Sequence, residues 1–209
     1  MWRSAAATLA LAVLAYAGGA WLTMDFRVWT AEGARRLAVL RSPVAAPAVA
    51  MRGPDALAQP LPAMLRAPGA ATIVDFVYTR CMTVCSALGG TFLQLQDALR
   101  ADHAAGRPAV RLLSISFDPA NDAPDVLAAY SRRLRADPTL WRFATPAREQ
   151  DLQALLRHYG VTVIADGLGG YEHNAALLVL DGDGRLVHIY DYDQAGDALA
   201  LARYVAGKP

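Results

Sequence analysis

The chain has 209 residues, enough for one domain plus a tail and for a core that needs no disulfide staples. Apolar residues make up 55% of it and charged residues 19%, which excludes a disordered or fibrous chain. The 20 basic residues nearly cancel the 19 acidic ones, so the basic footprint of a nucleic-acid-binding protein is missing.

The first element is an uncharged run of 21 residues, Ser4 to Met24, bounded by Arg3 and Asp25. A membrane-spanning helix needs about 20 such residues. Ala15-Tyr16-Ala17 has the form that signal peptidase accepts, so a secretory signal fits too. The anchor is the favoured reading, because the apolar run continues past that site through Trp21, Leu22 and Met24. Trp21 would then sit at the interface, where amphipathic rings are favoured. A buried core helix is the weakest reading at the extreme N-terminus. Arg27, Arg35, Arg36 and Arg41 argue against export of the downstream domain, but long domains translocate largely regardless of loop charge. The expected organisation is a single-pass anchor or uncleaved signal over 1–24, a linker and lead-in over 25–70, and a soluble domain over 71–209. That domain is expected in the periplasm, held at the inner membrane.

Residues 25–70 contain Pro43, Pro47, Pro54, Pro60, Pro62 and Pro68, which interrupt regular structure. A short helix over 32–41 and a short strand around Val44–Met51 are expected. Beyond residue 70 the pattern sharpens. Thr72–Tyr78 reads as a buried strand, followed by a helix to about His103. Val110–Phe117 is the next strand. Ala123–Arg135 is a helix, with Asp122 placed to cap it. A short strand over Leu140–Phe143 precedes a helix over Ala147–Tyr159, which Gly160 ends. A short strand over Val161–Ile164 leads to a hairpin of Ala175–Leu180 and Arg185–Tyr190 about Asp181-Gly182-Asp183-Gly184. Ala195–Val205 is the last helix. Strands alternating with helices and ending in an antiparallel hairpin predict an α/β, thioredoxin-like fold, a central mixed sheet with helices on both faces.

Cys81 and Cys85 are the only cysteines, too few for a disulfide framework or a four-thiolate zinc site. They lie in TRCMTVCS, at a strand-to-helix junction. Four positions apart, they share one helical face, about 5–6 Å between Cβ atoms. A helix N-terminus lowers thiol pKa values, and Arg80 adds to that field. Such a pair can close a disulfide or hold a soft metal ion, and thiolates favour copper(I). A purely structural disulfide would close too small a loop to constrain the unfolded chain much. A third ligand comes from the four histidines. His103 and His158 read as surface residues near helix ends, and His188 as an exposed strand residue. His173 falls in a glycine-rich loop (Gly167, Gly169, Gly170) before Ala175–Leu180, where many thioredoxin-like proteins carry a cis-proline against the cysteine pair. A neutral imidazole there would complete a site of two sulfurs and one nitrogen.

Three segments carry a resemblance. VDFVYTRCMTVC, SFDPANDAPDVLAAY and YEHNAALLVLDGDGRLV together resemble, in order and spacing, the SCO/SenC family of membrane-anchored copper proteins linked to cytochrome c oxidase assembly. The resemblance covers roughly residues 70–207. It implies a thioredoxin-like fold with Cys81, Cys85 and His173 as copper ligands. The ion would be Cu(I), with Cu(II) left open. Two departures stand out. The family commonly has proline after each cysteine, where this chain has Met82 and Ser86, so the first helical turn is less pre-organised. Met82 could add a thioether contact. Asp118, at a strand end, is either a cap or an acid near the site.

The function these residues imply is a copper chaperone, expected as a monomer because nothing in the sequence demands a second copy. Its partner would be an extracytoplasmic copper-accepting protein such as a cytochrome c oxidase subunit. A thiol–disulfide oxidoreductase acting on the same target's cysteines would need Cys81 and tolerate loss of His173. A peroxidase would need an activating constellation that the sequence does not display.

Overall fold

The computed structural model describes residues 2–81, 84–167 and 169–208, and only the backbone of residues 84–88. The chain divides into two compact units, Met1–Arg41 and Ser42–Pro209. The first unit holds α1 (Trp2–Leu22) and α2 (Ala31–Arg41). α1 is long and apolar enough to cross a membrane, and none of its residues is buried. α2 begins at Thr30, whose Oγ1 accepts from the Gly33 amide at 3.0 Å, and Glu32 in its first turn pairs with Arg35 and Arg36.

The second unit opens with β1 (Val44–Ala45), β2 (Ala50–Arg52), β3 (Ala58–Pro60) and α3 (Leu61–Leu65). Next come β4 (Ala70–Val77), α4 (Val84–Ala104), β5 (Ala109–Ser116), α5 (Pro124–Arg133), β6 (Trp141–Pro146) and α6 (Leu152–Tyr159). The chain ends through β7 (Val163–Ala165), β8 (Tyr171–His173), β9 (Ala176–Leu180), β10 (Arg185–Asp191) and α7 (Ala195–Ala206). Eight strands form one mixed sheet in the order β1-β10-β9-β4-β5-β6-β2-β3, and β7 and β8 form a separate hairpin. β4, β5 and β6 run parallel, while β9 lies antiparallel to β4 on its other edge.

All eight residues of β4 are buried, as expected of a strand covered on both faces. On one face Ala71 and Ile73 join Leu112, Trp141, Leu177 and Val179 in a core under α4, α5 and α7. On the other, Phe76 meets Tyr159 of α6, ring centroids 5.9 Å apart. Helices therefore cover both faces, and the arrangement is thioredoxin-like, as the element order predicts.

Some local expectations change. The helix expected from Ala147 starts at Leu152, after a 3-10 turn over Glu149–Asp151. β6 runs on to Pro146 because β2 pairs with its outer edge, Met51 opposite Pro146 and Arg52 opposite Thr145. Gly160 does end α6, in the left-handed region at φ 62°. His188 is half-buried rather than exposed, its ring stacked on Tyr190 at 4.1 Å. The cause is a bulge between Leu186 and His188 that breaks the strand's alternation.

One buried ion pair ties α4 to α7. Arg203 donates to both oxygens of Asp102, at 2.6 and 2.8 Å, and Arg107 donates to the same carboxylate at 2.8 Å. The Asp102 side chain is 3% exposed. Asp102→Ala leaves Arg203 half-enclosed without its partner, and is expected to lower unfolding free energy by about 3 kcal/mol. Urea denaturation beside the unchanged chain measures this.

Candidate metal centre

Cys81 leaves the C-terminal end of β4 after the turn at Thr79 and Arg80. Its amide donates to the Tyr78 carbonyl at 3.3 Å, and its side chain is half-buried. Cys85 lies in the first turn of α4, and its side chain lies outside the described part of the chain. Met82, the suggested thioether contact, lies outside the described residues.

The position of Cys81 is set from below by a buried carboxylate. Asp122 accepts from the Thr79 amide at 3.0 Å, from Thr79 Oγ1 at 2.5 Å and from Ser116 Oγ at 2.5 Å. Ser116 Oγ in turn accepts from the Asp118 amide at 3.0 Å. The ends of β4 and β5 and the approach to α5 are thus joined at one side chain, 0% exposed. This corrects the expectation that Asp122 caps α5. The N-cap is Ala123, no side chain bonds there, and Pro124 supplies the pre-set first turn.

Arg80 also behaves differently from expectation. Its Nη2 donates to Asp118 Oδ2 at 2.9 Å, so its charge is matched by a carboxylate beside the cysteine instead of standing as an isolated positive field. Asp118 is 4% exposed and also receives the Asn121 amide group at 2.9 Å. Asp118 holds Arg80 beside the cysteine turn, a role the sequence did not offer it.

His173 ends β8, in a hairpin and not in an open loop. It pairs with Val163 across β7. Gly167 and Gly169, at φ 74° and 89°, make the hairpin's turn. A Cβ at Gly170 would meet Tyr78 Oη at 3.0 Å and Asp166 Oδ2 at 2.5 Å, so a side chain there would displace the Asp166 carboxylate. That close approach lets the Tyr171 amide donate to Tyr78 Oη at 3.1 Å. Beyond the strand, Asn174 accepts from the Thr162 amide at 2.7 Å and donates to the Gly160 carbonyl at 3.0 Å. It fixes the chain where it turns into β9.

An aromatic platform links the two expected ligand segments. The Tyr78 ring lies 5.3 Å from both Phe117 and Tyr171, and Phe117 lies edge-on to the His173 ring at 5.1 Å. Tyr78 is three residues before Cys81, so both expected ligand segments rest on the same rings. Burial lowers the His173 pKa from its ordinary value, which keeps the imidazole neutral and able to donate a lone pair at neutral pH. Among the described residues no group of three or more His, Cys, Asp and Glu side chains assembles a metal site. His103 and His158 are exposed, as expected, and His158 Nε2 lies 2.7 Å from the Ala45 carbonyl oxygen.

A sequence model of the SCO1/SenC family matches residues 66–205. The chain belongs to the SCO1/SenC family. A SCO1 protein homolog from Bacillus subtilis (strain 168) is 25% identical over 125 residues, 59% of this chain and 63% of that protein. The match therefore spans a little under two thirds of that relative's length. BsSco, a member of the Sco family of cytochrome c oxidase assembly proteins with a disulfide switch, superposes with a TM-score of 0.67 at 19% identity, over 80% of this chain and 96% of that one. ScoI of Bradyrhizobium japonicum, solved with copper bound, gives 0.63 at 21% identity, over 78% and 99%. At these identities the superpositions establish the common thioredoxin-like fold.

No sequence motif singles out one acid that this SCO1/SenC chain encloses entirely. Asp75, six residues before Cys81 on β4, is 1% exposed, and its Oδ1 has no hydrogen-bond partner among the described residues. Burial pushes its pKa up to about 7, opposed in part by the Ser114 hydroxyl. The only signal in the sequence is an acid in the middle of an apolar run, TIVDFVY.

Asp122→Ala strips partners from Thr79 and Ser116, and is expected to cost about 3 kcal/mol of stability in urea denaturation. It should also speed reaction of Cys81 with a thiol reagent in a Cys85→Ser background. For Asp75 the folded pKa lies above the unfolded one. Between pH 4 and pH 7 the folded chain keeps a proton that the unfolded chain has lost, so this group's contribution falls as pH rises through that window. Asp75→Asn removes the effect. It is expected to match the unchanged chain near pH 4 and exceed it by up to about 4 kcal/mol above pH 7. Denaturation series at the two pH values would show equal offsets if Asp75 were not the group responsible.

Proposed function

We propose that this chain is a copper-binding metallochaperone, with Cys81, Cys85 and His173 as the ligands. Copper is its cargo, delivered to an extracytoplasmic cuproprotein, and the copper centre of cytochrome c oxidase is the favoured recipient. The observation that carries this reading is the shared aromatic platform: a neutral, half-buried imidazole and the cysteine-bearing turn rest on the same rings. Two thiolates and one neutral imidazole form a soft donor set that suits Cu(I). Family membership and the copper-bound ScoI of Bradyrhizobium japonicum support the same cargo.

Three ligands leave the ion open to attack by an incoming ligand, so it can pass to a recipient without release. The thiols must be reduced to bind, which makes loading depend on their redox state. In this reading residues 1–24 anchor the chain in the inner membrane, and residues 71–209 form the copper-binding domain in the periplasm. Confinement to the membrane raises the local concentration at a membrane-embedded recipient.

A second reading rests on the cysteine spacing itself. Two thiols four positions apart, Cys81 ahead of α4 and Cys85 in its first turn, can cycle between dithiol and disulfide, as the disulfide switch of BsSco suggests by analogy. The chain would then reduce the recipient's cysteines.

Anaerobic Cu(I) titration of the reduced full chain, in detergent and against a chromophoric chelator, separates the two. One tightly held copper is expected. Cys81→Ser, Cys85→Ser and His173→Ala should each weaken it by about tenfold or more. Unchanged affinity in His173→Ala, with thiols that still reduce a disulfide substrate, would replace the chaperone by the oxidoreductase.

A further inference from the structure

The segment that leaves α1 does not continue away from it. Met24, Asp25 and Phe26 all have left-handed backbones, at φ 50°, 61° and 60°, and they reverse the chain. Phe26 then packs back along the helix. Its ring centroid lies 5.3 Å from that of Tyr16, and a Cβ added at Gly19 would meet Phe26 Cε1 at 3.2 Å. Gly19 leaves the notch that the ring occupies. Trp29 continues the ladder, its ring 6.1 Å from Phe26 and its side chain 74% exposed.

The reversal supplies its own hydrogen bonds. The Thr23 amide donates to Gly19 O, Asp25 to Ala20 O, and Arg27 and Val28 to Thr23 O, all between 2.7 and 3.0 Å. The Phe26 amide donates to Thr23 Oγ1 at 3.0 Å, and the Trp29 indole to Phe26 O at 3.2 Å. Backbone at membrane depth must satisfy its polar groups internally, and these bonds do so for the amides of the turn they engage.

The placement in depth comes from length. The helical part of the uncharged run, Ser4 to Leu22, rises about 28 Å, close to a hydrocarbon core of about 30 Å. Tyr16 lies about 9 Å back from the end of α1 at Leu22. The Phe26 ring, packed beside Tyr16 and Gly19, therefore falls inside the edge of the hydrocarbon, and not above it. Arg27 and, from the end of α2, Arg41 supply cations for phosphate groups at the same level; Arg41 Nη1 lies 3.9 Å from Met24 Sδ. Asp25 and Glu32 offset part of that charge, with Glu32 engaged by Arg35 and Arg36.

We propose that residues 23–30 form a re-entrant aromatic collar, seated in the headgroup–acyl boundary of the phospholipid leaflet where α1 emerges, through Phe26 and Trp29. The collar rests on the anchor reading of α1. It makes the exit from the membrane a fixed reversal instead of a loose tether. Aromatic rings favour that boundary, and the anionic headgroups of the leaflet suit the arginines.

The test uses the full chain in nanodiscs of phosphatidylcholine and phosphatidylglycerol, with phospholipid brominated at the glycerol end of its acyl chains as quencher. One variant, Trp2→Phe with Trp21→Phe, reports Trp29; another, Trp2→Phe with Trp29→Phe, reports Trp21. Trp141 stays in both, enclosed in the soluble core. Quenching of Trp29 to the extent of Trp21 is expected. Phe26→Ala should cut the Trp29 quenching by about half, because the ring that seats the turn is gone. Quenching of Trp21 without Trp29 would overturn the collar and keep the anchor. Quenching of neither would remove the anchor, and the collar with it. Trp29 quenching that ignores Phe26→Ala would overturn the seating on Gly19.

Discussion

Asp122 is the constraint on which the rest of the candidate centre depends. Parallel strands β4 and β5 are joined along their length by ladder bonds, but the ladder stops at Val77 and Ser116. Beyond that point the chain must turn into α4 without losing register with the neighbouring strand. One carboxylate does this by accepting from a backbone amide and two hydroxyls. A carboxylate acceptor makes stronger bonds than a neutral one. Because all partners are short side chains or backbone, little entropy is lost in holding them. The cysteine turn starts from a fixed point for that reason.

From that point the aromatic rings carry order sideways. Tyr78 is the last residue before the turn, and its hydroxyl meets the backbone of Tyr171. Phe117 comes directly after β5 and fills the space between Tyr78 and His173. Among the described residues the hairpin of β7 and β8 has no ladder to the main sheet. These rings attach it, while Asn174 ties its two ends together through Gly160 and Thr162. Such an attachment fixes the level of His173 while leaving the hairpin's outer strand, with Ile164 60% exposed, open to solvent. A side chain on a hairpin of this kind can shift without disturbing the sheet.

Much of this is legible in the sequence, for identifiable reasons. The strand before the cysteines is an eight-residue buried run, and Asp-Gly-Asp-Gly between two apolar stretches reads as a hairpin without ambiguity. Gly160 is legible as a helix end because a left-handed residue there favours glycine. The same local logic misplaces Asp122. A carboxylate before Ala-Pro looks like a cap, and only the return of β5 alongside β4 shows that Thr79 and Ser116 outcompete the helix amides. β8 is not legible because three residues carry no periodicity, and its glycines read equally well as a loop. β2 is placed only loosely by its sequence, so the extension of β6 to Pro146 is hidden. Such pairings join residues nearly a hundred positions apart, beyond any window of sequence.

The two buried acids near the cysteine turn show why the composition of a segment alone cannot assign a role. Asp122 and Asp75 are almost equally enclosed, at 0% and 1% exposure. Asp122 has three donors aimed at it. Asp75 has one opposing hydroxyl, and burial wins, raising its pKa to about 7. The difference lies in what stands opposite each side chain. Asp122 faces the polar ends of two strands, where amides have run out of ladder partners. Asp75 sits on the central strand β4, paired with Ser114 inside the β5 ladder and one residue past the end of the β9 ladder. An acid in the first setting organises the turn; in the second it costs stability whenever it ionises. The same residue type, buried to the same degree, thus costs stability on a central strand at Asp75 and holds the turn before Cys81 in place at Asp122.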